Sequence, residues 1–588
     1  MGNFLKYTLA SILGVLIAGL LLFFISMGII SAIVAAGDEP VQVKDNSILV
    51  IKLEDEIVDR SSKNPFDELD LPGFSGRKQM GLNDILANIK KAKKDSRIKG
   101  IYLNMTNVAS GVATIEEIRD ALIDFKESDK FIYSFSDVYS QKAYYLASVA
   151  DSIVLNPEGI LEFKGLGGQK TFFKNALKKI GVEMQIVRHG KFKSAVEPYM
   201  LEKMSDANRE QTETYLGSIW NHFLKGISKE RELGIDQLND LANGVVTFQK
   251  PQVALDGGLI DGLKYKDQVL SDLRTLIGIG QNKKIPAISL GEYTNAPVKR
   301  KGGLARDKVA VIYASGGIDM GEGEGNMSSE EISRAIRKAR TDSTIKAVVL
   351  RINSGGGSAL GSEIMWREVK LTREVKPIIA SFGDYAASGG YYMACSADTI
   401  VASPTTITGS IGIFGVIPNA GELLNDKLGI THDVVKTNDH SDMISIVRPM
   451  TTFERNLMQK KIEDGYLTFI SHVADGRGLT VEKVDEIGQG RVWSGENAST
   501  IGLVDVFGGL DKAIEIAKDK AGLERYRIVS LPKQKDPIEE LLKSFTQEAR
   551  MSVMQDELGV AYKYYSFMKK AASMNGAMAV MPYELEIN

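Results

Sequence analysis

Cysteine is nearly absent: Cys395 stands alone in 588 residues. A lone thiol forms no intrachain disulfide, so a disulfide-stapled scaffold is excluded. Its apolar setting, Tyr391-Tyr392-Met393-Ala394, suits a small buried side chain rather than a nucleophile. Histidine is scarce too, with only His189, His222, His432, His440 and His472. No Gly-x-Ser-x-Gly elbow occurs, so the usual serine–histidine hydrolase signature is missing. Gly165-Leu166-Gly167-Gly168-Gln169-Lys170-Thr171 lacks the glycine before its lysine and is no nucleotide loop. Long basic runs interleaved with aromatics are also missing. The largest basic cluster, Lys90, Lys91, Lys93 and Lys94, has helical spacing and reads as a solvated face, so no nucleic-acid partner is expected. Net charge is −3 with 25% charged residues, an ordinary balance. No motif calls for a cofactor or a metal.

One stretch lacks charge altogether. From Tyr7 to Gly37 there is no Asp, Glu, Lys or Arg, and Leu, Ile, Ala, Phe and Gly dominate. A spanning helix needs about 20 such residues. A cleaved signal peptide ending near Val34-Ala35-Ala36 would carry an apolar core of only about 7–15 residues. A retained transmembrane anchor over residues 1–46 is therefore expected. Lys6 precedes the run, and Asp38 and Glu39 come after it, which predicts a cytoplasmic start and the bulk of the chain across the membrane.

What the chain does have is a message written twice. Asp95-Ser96-Arg97-Ile98-Lys99 aligns with Asp342-Ser343-Thr344-Ile345-Lys346, 247 residues later. The same offset aligns Ala150-Asp151-Ser152-Ile153-Val154 with Ala397-Asp398-Thr399-Ile400-Val401, and Phe135 to Tyr145 with Phe382 to Tyr392. Shared hydrophobic patterning predicts a shared fold. Each copy reads strand, helix, strand, helix, strand. In the first these are Ser47–Leu53, Leu82–Lys94, Gly100–Leu103, Ile115–Phe125 and Phe131–Tyr133. In the second they are Val309–Tyr313, Glu330–Ala339, Ala347–Leu350, Ser362–Arg373 and Ile378–Ala380. The alternation predicts an α/β fold of parallel βαβ units. We place the copies at 47–294 and 309–532, with a Pro-, Gly- and Lys-rich linker at 295–308. A tail at 533–588 has no repeat partner. Its Glu539–Lys570 stretch looks helical, and from Met551 onward it carries six of the 20 methionines.

The copies differ where chemistry is possible. Gln141, Lys142 and Ala143 stand where the second copy has Ser388, Gly389 and Gly390. Val108, Ala109 and Ser110 stand where it has Gly355, Gly356 and Gly357. Glycines at a strand end open backbone N–H groups to a ligand. A serine between small residues, ahead of a helix, suits an exposed hydroxyl, and the Gly389 amide could hold an oxyanion. That serine needs a base. Lysine can serve if neutral, although at a pKa of about 10.4 only roughly one in a few thousand is neutral at pH 7. Burial can supply the required lowering. Composition alone does not choose among the lysines.

Three motifs carry a resemblance. Gly190-Lys191-Phe192-Lys193-Ser194-Ala195-Val196-Glu197-Pro198-Tyr199, Gly383-Asp384-Tyr385-Ala386-Ala387-Ser388-Gly389-Gly390 and Thr408-Gly409-Ser410-Ile411-Gly412 resemble the signal peptide peptidase A family in its long, two-repeat, membrane-anchored form. That family shares a broad superfamily with the Clp protease and crotonase folds. The resemblance implies Ser388 as nucleophile, Lys193 as general base and Ser410 as the residue orienting the amine. It implies Gly389 with Gly356, or Gly357 beside it, as oxyanion donors. The family loop reads Asn-Ser-Pro-Gly-Gly, and Gly355 here replaces its proline, which loosens the loop. The implied activity is degradation of cleaved signal peptides and other small hydrophobic peptides. The implied setting is the bacterial inner membrane, with the catalytic part outside the cytoplasm in a homotetramer. Two other readings are a crotonase-type acyl-CoA enzyme, disfavoured by the side of the membrane, and a catalytically silent scaffold, disfavoured by retention of Ser388, Lys193 and Ser410.

Overall fold

A computed structural model describes residues 2–37, 41–62, 70–71, 74–75, 79–297, 305–321, 327–534 and 577–581. The chain opens on helix α1 (Gly2–Gly37). Its longest stretch of described side chains, residues 10–21, is exposed. Among the described residues no helix is long and apolar enough to cross a membrane. The expected anchor therefore has no support from the structure and returns below only as a proposal.

The first copy contains β1 (Ser47–Ile51), α2 (Leu82–Lys94), β2 (Ile98–Leu103), α3 (Val112–Lys126), β3 (Phe131–Tyr139), α4 (Gln141–Ala147) and β4 (Ser152–Leu161). Beyond these lie β5 (Glu183–Arg188), α5 (Asp206–Arg231), β6 (Gly262–Leu263) and β7 (Ala287–Ser289). The second copy contains β8 (Lys308–Ser315), α6 (Ser329–Thr341), β9 (Ile345–Ser354), β10 (Gly356–Ser358), α7 (Ala359–Arg373), β11 (Ile378–Ala387), α8 (Gly389–Ala394), β12 (Thr399–Ala402), β13 (Ile407–Gly409) and β14 (Phe414–Asn419). It continues through β15 (Val492–Ser494) and β16 (Arg527–Leu531). Elements α2, β2, α3, β3 and β4 begin 247 residues before α6, β9, α7, β11 and β12. The duplication is thus structural.

Local sequence explains these elements. Leu82, Ile85, Leu86 and Ile89 fall on one face of α2 and are buried. Strand β9 is an unbroken buried run from Ala347 to Ile352, as expected of a parallel strand covered on both faces. The first sheet has the order β6-β4-β3-β2-β1-β7, all parallel. The second has the order β15-β13-β11-β9-β8-β16, with β12 also on β11. Within it only β15 runs antiparallel to its neighbour.

A third sheet crosses between the copies. Strand β5 of the first pairs antiparallel with β14 of the second, Phe414 opposite Arg188 and Asn419 opposite Glu183. On the other edge of β14 lies β17 (Ala577–Val580), which also pairs with β10. The region expected to be helical, Glu539–Lys570, lies outside the described residues; the strand Ala577–Val580 comes after it in the tail.

Buried polar contacts fasten the copies together. Arg351 on β9 is fully buried and donates Nε to Asp59 at 2.7 Å, while Nη2 lies 2.6 Å from a Glu117 oxygen on α3. Asp384 on β11 accepts from the Thr114 amide at 2.9 Å and its hydroxyl at 2.8 Å, at the first turn of α3. A side chain on Gly111 would collide with that carboxylate, so the helix start is glycine.

Candidate active site

Lys193 lies just after β5, and Ser388 sits at the turn from β11 into α8. The cross-copy sheet brings them together: Lys193 Nζ is 2.7 Å from Ser388 Oγ. The amine also donates to Ser410 Oγ and to the Ser410 carbonyl, each at 3.0 Å. All three residues are fully buried. A neutral amine has two N–H groups and one lone pair. These contacts fit that inventory, with the N–H groups directed to Ser410 and the lone pair left for the Ser388 proton.

Burial sets the electrostatics. Desolvation pushes the Lys193 amine well below its ordinary value of 10.5. Among the described residues no carboxylate pairs with it. An ammonium there would have lost its water without gaining a counter-charge. Phe414 on β14 faces the amine from 6.0 Å, and Ala195 and Val196 pack with Phe414 and Val416 into a small apolar cluster. The lysine loop is tied down from both copies. Gln211 on α5 donates to the Phe192 carbonyl at 3.1 Å and to Ser194 Oγ at 2.9 Å, and accepts from the Val492 amide at 3.0 Å. Glu197 is buried and accepts from the Ser205 and Asn208 side chains.

The serine is held in an unusual backbone conformation, φ 56° and ψ −114°. A non-glycine residue there stores strain that the surroundings must maintain. Its side chain makes no capping bond to α8, although it occupies the N-cap position. The hydroxyl is therefore left for Lys193. The Ser388 amide donates to the Gly409 carbonyl at 2.8 Å, which fixes Ser388 against the segment bearing Ser410.

Gly389 opens α8, and β10 runs beside it. Gly356 has φ +98°, a region that favours glycine. A Cβ there would lie 2.7 Å from the Gly389 nitrogen. Its own amide donates to Ser354 Oγ at 3.2 Å. Gly357 lies opposite Ala579 of β17, and the Met581 amide donates to the Gly355 carbonyl at 2.5 Å. Antiparallel pairs alternate, so the Gly357 amide faces the Ala579 carbonyl. Of the two loop glycines, Gly357 is thus the one whose amide faces a peptide carbonyl beside Gly389.

The first copy has no equivalent opening. Gln141 accepts from the Lys164 and Gly165 amides at 2.9 and 3.1 Å, and Lys142 donates to the Ser110 carbonyl at 3.0 Å. Side chains thus fill what the second copy leaves as bare backbone. Cys395 is buried with its thiol pushed up to about 12 by desolvation, which removes it as a nucleophile. Among the described residues no group of His, Cys, Asp and Glu is gathered as for a metal ion.

Sequence reasoning missed Gly490. Its φ is +82°, and a Cβ there would lie 2.5–2.6 Å from the Lys193 main chain and Cβ. The Gly488-Gln489-Gly490 spacing was the available signal. Gln211 carried no sequence signal at all, being an ordinary polar residue within a long helix.

The profile of peptidase family S49 matches this chain twice, over residues 124–280 and 370–524. The chloroplastic serine protease SPPA of Arabidopsis thaliana is 34% identical over 502 residues, spanning 83% of this chain and 71% of that protein. Protease 4 of Salmonella typhi is 36% identical over 479 residues, spanning 80% of this chain and 76% of that protein. A ClpP1 mutant from Listeria monocytogenes overlays with a TM-score of 0.23 at 15% identity, over 35% of this chain and 94% of that one. One matched stretch in each copy, and relatives aligned along most of both lengths, make this chain a member of peptidase family S49, a serine protease.

Proposed function

We propose that the chain is a membrane-anchored serine endopeptidase with a Ser388/Lys193 dyad, acting on cleaved signal peptides and other small hydrophobic peptides. The observation that carries the dyad is the 2.7 Å separation of amine and hydroxyl, both fully buried, with no carboxylate paired to the amine among the described residues.

Neutral Lys193 takes the Ser388 proton as Oγ attacks a peptide carbonyl. The carbonyl oxygen becomes an oxyanion held by the Gly389 amide and a β10 amide, Gly357 by register and Gly356 by motif position. The ammonium then gives its proton to the departing amine, and Ser410 keeps the side chain aimed throughout. Water clears the acyl group from Ser388 by the same base in reverse. Each copy supplies what the other lacks, so neither is dispensable.

The anchor reading rests on the uncharged Tyr7–Gly37 run of the sequence. The bacterial inner membrane, an extracytoplasmic catalytic part and a homotetramer belong to the same proposal and rest on resemblance. The test is turnover of a fluorogenic apolar peptide by wild type, Ser388→Ala and Lys193→Ala. Both variants should lose activity at least about a thousandfold while melting as cooperatively as wild type. Turnover by Lys193→Ala at the wild-type rate would remove the base from the mechanism.

A further inference from the structure

A second backbone segment holds the lysine loop in place. Residues 488–493, which lead into β15, run between that loop and the segment bearing Ser410 and bond to both. The Phe192 amide donates to the Gln489 carbonyl at 3.0 Å. The Gly490 amide donates to the Ile411 carbonyl at 2.7 Å, and the Ser410 amide to the Arg491 carbonyl at 2.6 Å. Glycines permit so close an approach: a Cβ on Gly190 would overlap the Gln489 main chain, and one on Gly412 would stand 2.9 Å from the Gly490 Cα. Gln489 has φ +52°, a conformation that a non-glycine residue keeps only where its surroundings enforce it.

Two side chains do so. Tyr466 on α9 (Thr452–Arg477) is buried, accepts from the Gln489 amide at 3.1 Å and donates to Asp485 Oδ1 at 2.6 Å. Its ring stacks on His189 of the lysine loop, with centroids 4.0 Å apart. Arg491 sets its guanidinium 4.6 Å from the Phe192 ring and 4.4 Å from the Trp493 ring, and pairs with Glu210 on α5 at 2.8 Å. We propose that Tyr466 and Arg491 are positioning residues: they hold 489–491 as a clamp that fixes the Lys193 amine on Ser388 and Ser410. This rests on the Ser388/Lys193 reading and adds what aims the base. Both act through the lysine loop rather than on the reacting atoms. A misplacement of about 1 Å can cost about a hundredfold in rate, so a clamp remote from the chemistry still sets it.

Three variants of the full protein test this. Tyr466→Phe keeps the ring and its stack on His189 and removes only the hydroxyl, which leaves the Gln489 amide without its acceptor. Arg491→Lys keeps the charge and loses the planar stacking surface. Tyr144→Phe is the control: it removes one buried phenol bond, 2.8 Å to the Leu259 carbonyl in the first copy, outside the clamp. The readouts are kcat and KM for a fluorogenic apolar peptide and the pH midpoint of fluorophosphonate labelling at Ser388. Tyr466→Phe and Arg491→Lys should each lower kcat about tenfold, with KM within about twofold of wild type. Their midpoints should rise by about one pH unit, because an amine that slips toward water holds its proton longer. Tyr144→Phe should keep the wild-type kcat, KM and midpoint. Wild-type kcat and midpoint in both clamp variants, with Lys193→Ala inactive, would overturn the clamp and leave the dyad intact. A kcat loss in Tyr144→Phe equal to that in Tyr466→Phe, with no midpoint moved, would trace the effect to stability alone and overturn the clamp too. Turnover by Lys193→Ala at the wild-type rate would overturn both clamp and dyad.

Discussion

At the scale of residues, the proposed catalysis turns on one amine. Unfolded chains keep a proton on a lysine up to about pH 10.5, whereas the folded chain releases it from Lys193 far earlier. The unfolded state then binds more protons across that window, so folding stability gained from this group rises with pH. Lys193→Met removes the penalty and should melt higher than wild type near neutral pH. The margin should shrink by about 1.4 kcal/mol per pH unit at most and vanish near pH 10.5. Differential scanning calorimetry from pH 6 to 10.5 reads this directly; a margin that grew with pH would contradict it. Gly490 sets the same side chain from behind. Gly490→Ala should destabilise by about 1–3 kcal/mol through its positive φ and lower kcat more than it raises KM, measured by peptide turnover beside denaturant unfolding.

At the scale of elements, the sequence made the βαβ order legible and the site only in part. Leu82–Lys94 could be bounded because amphipathic spacing and flanking polar residues coincide there. Strands β3 and β11 run well past their short apolar starts, to Tyr139 and Ala387. Their later residues mix polar and small side chains with Phe135, Val138, Tyr139, Phe382 and Tyr385, and keep strand geometry through pairing with β4 and β13. Ser388, Gly389 and the Gly355–Gly357 loop stood out by comparing the two copies. Lys193 did not, since no local pattern marks a lysine that only a cross-copy sheet will bury. Strand β17 was illegible for the same reason: its partners lie more than 150 residues away, and its own five residues are unremarkable. The Arg351 contacts join elements of both copies. Arg351→Met should leave Asp59 and Glu117 buried without their cation and cost about 3–5 kcal/mol in urea unfolding. A loss below about 1 kcal/mol would show that this cluster does not fasten the copies.

At the scale of the whole molecule, the proposed dyad divides the labour between the two copies. The first copy keeps the fold, gives up the open backbone and supplies a lysine; the second keeps the cradle and supplies the serine. Gln141→Ser should therefore create no second site, because Lys142 and its bond to Ser110 occupy the position of the missing glycines. Mass spectrometry of the fluorophosphonate-treated variant should find label at Ser388 alone. Label at residue 141 would mean that the first copy retains a working cradle.

The most direct measurement is the pH dependence of Ser388 labelling by a fluorophosphonate in wild type and Lys193→Met. A buried neutral base predicts a wild-type rate that climbs with a midpoint well below 10.5 and then levels off, and a variant slower by orders of magnitude with no such midpoint. A Lys193→Met protein that labelled at the wild-type rate, with the same midpoint, would contradict it.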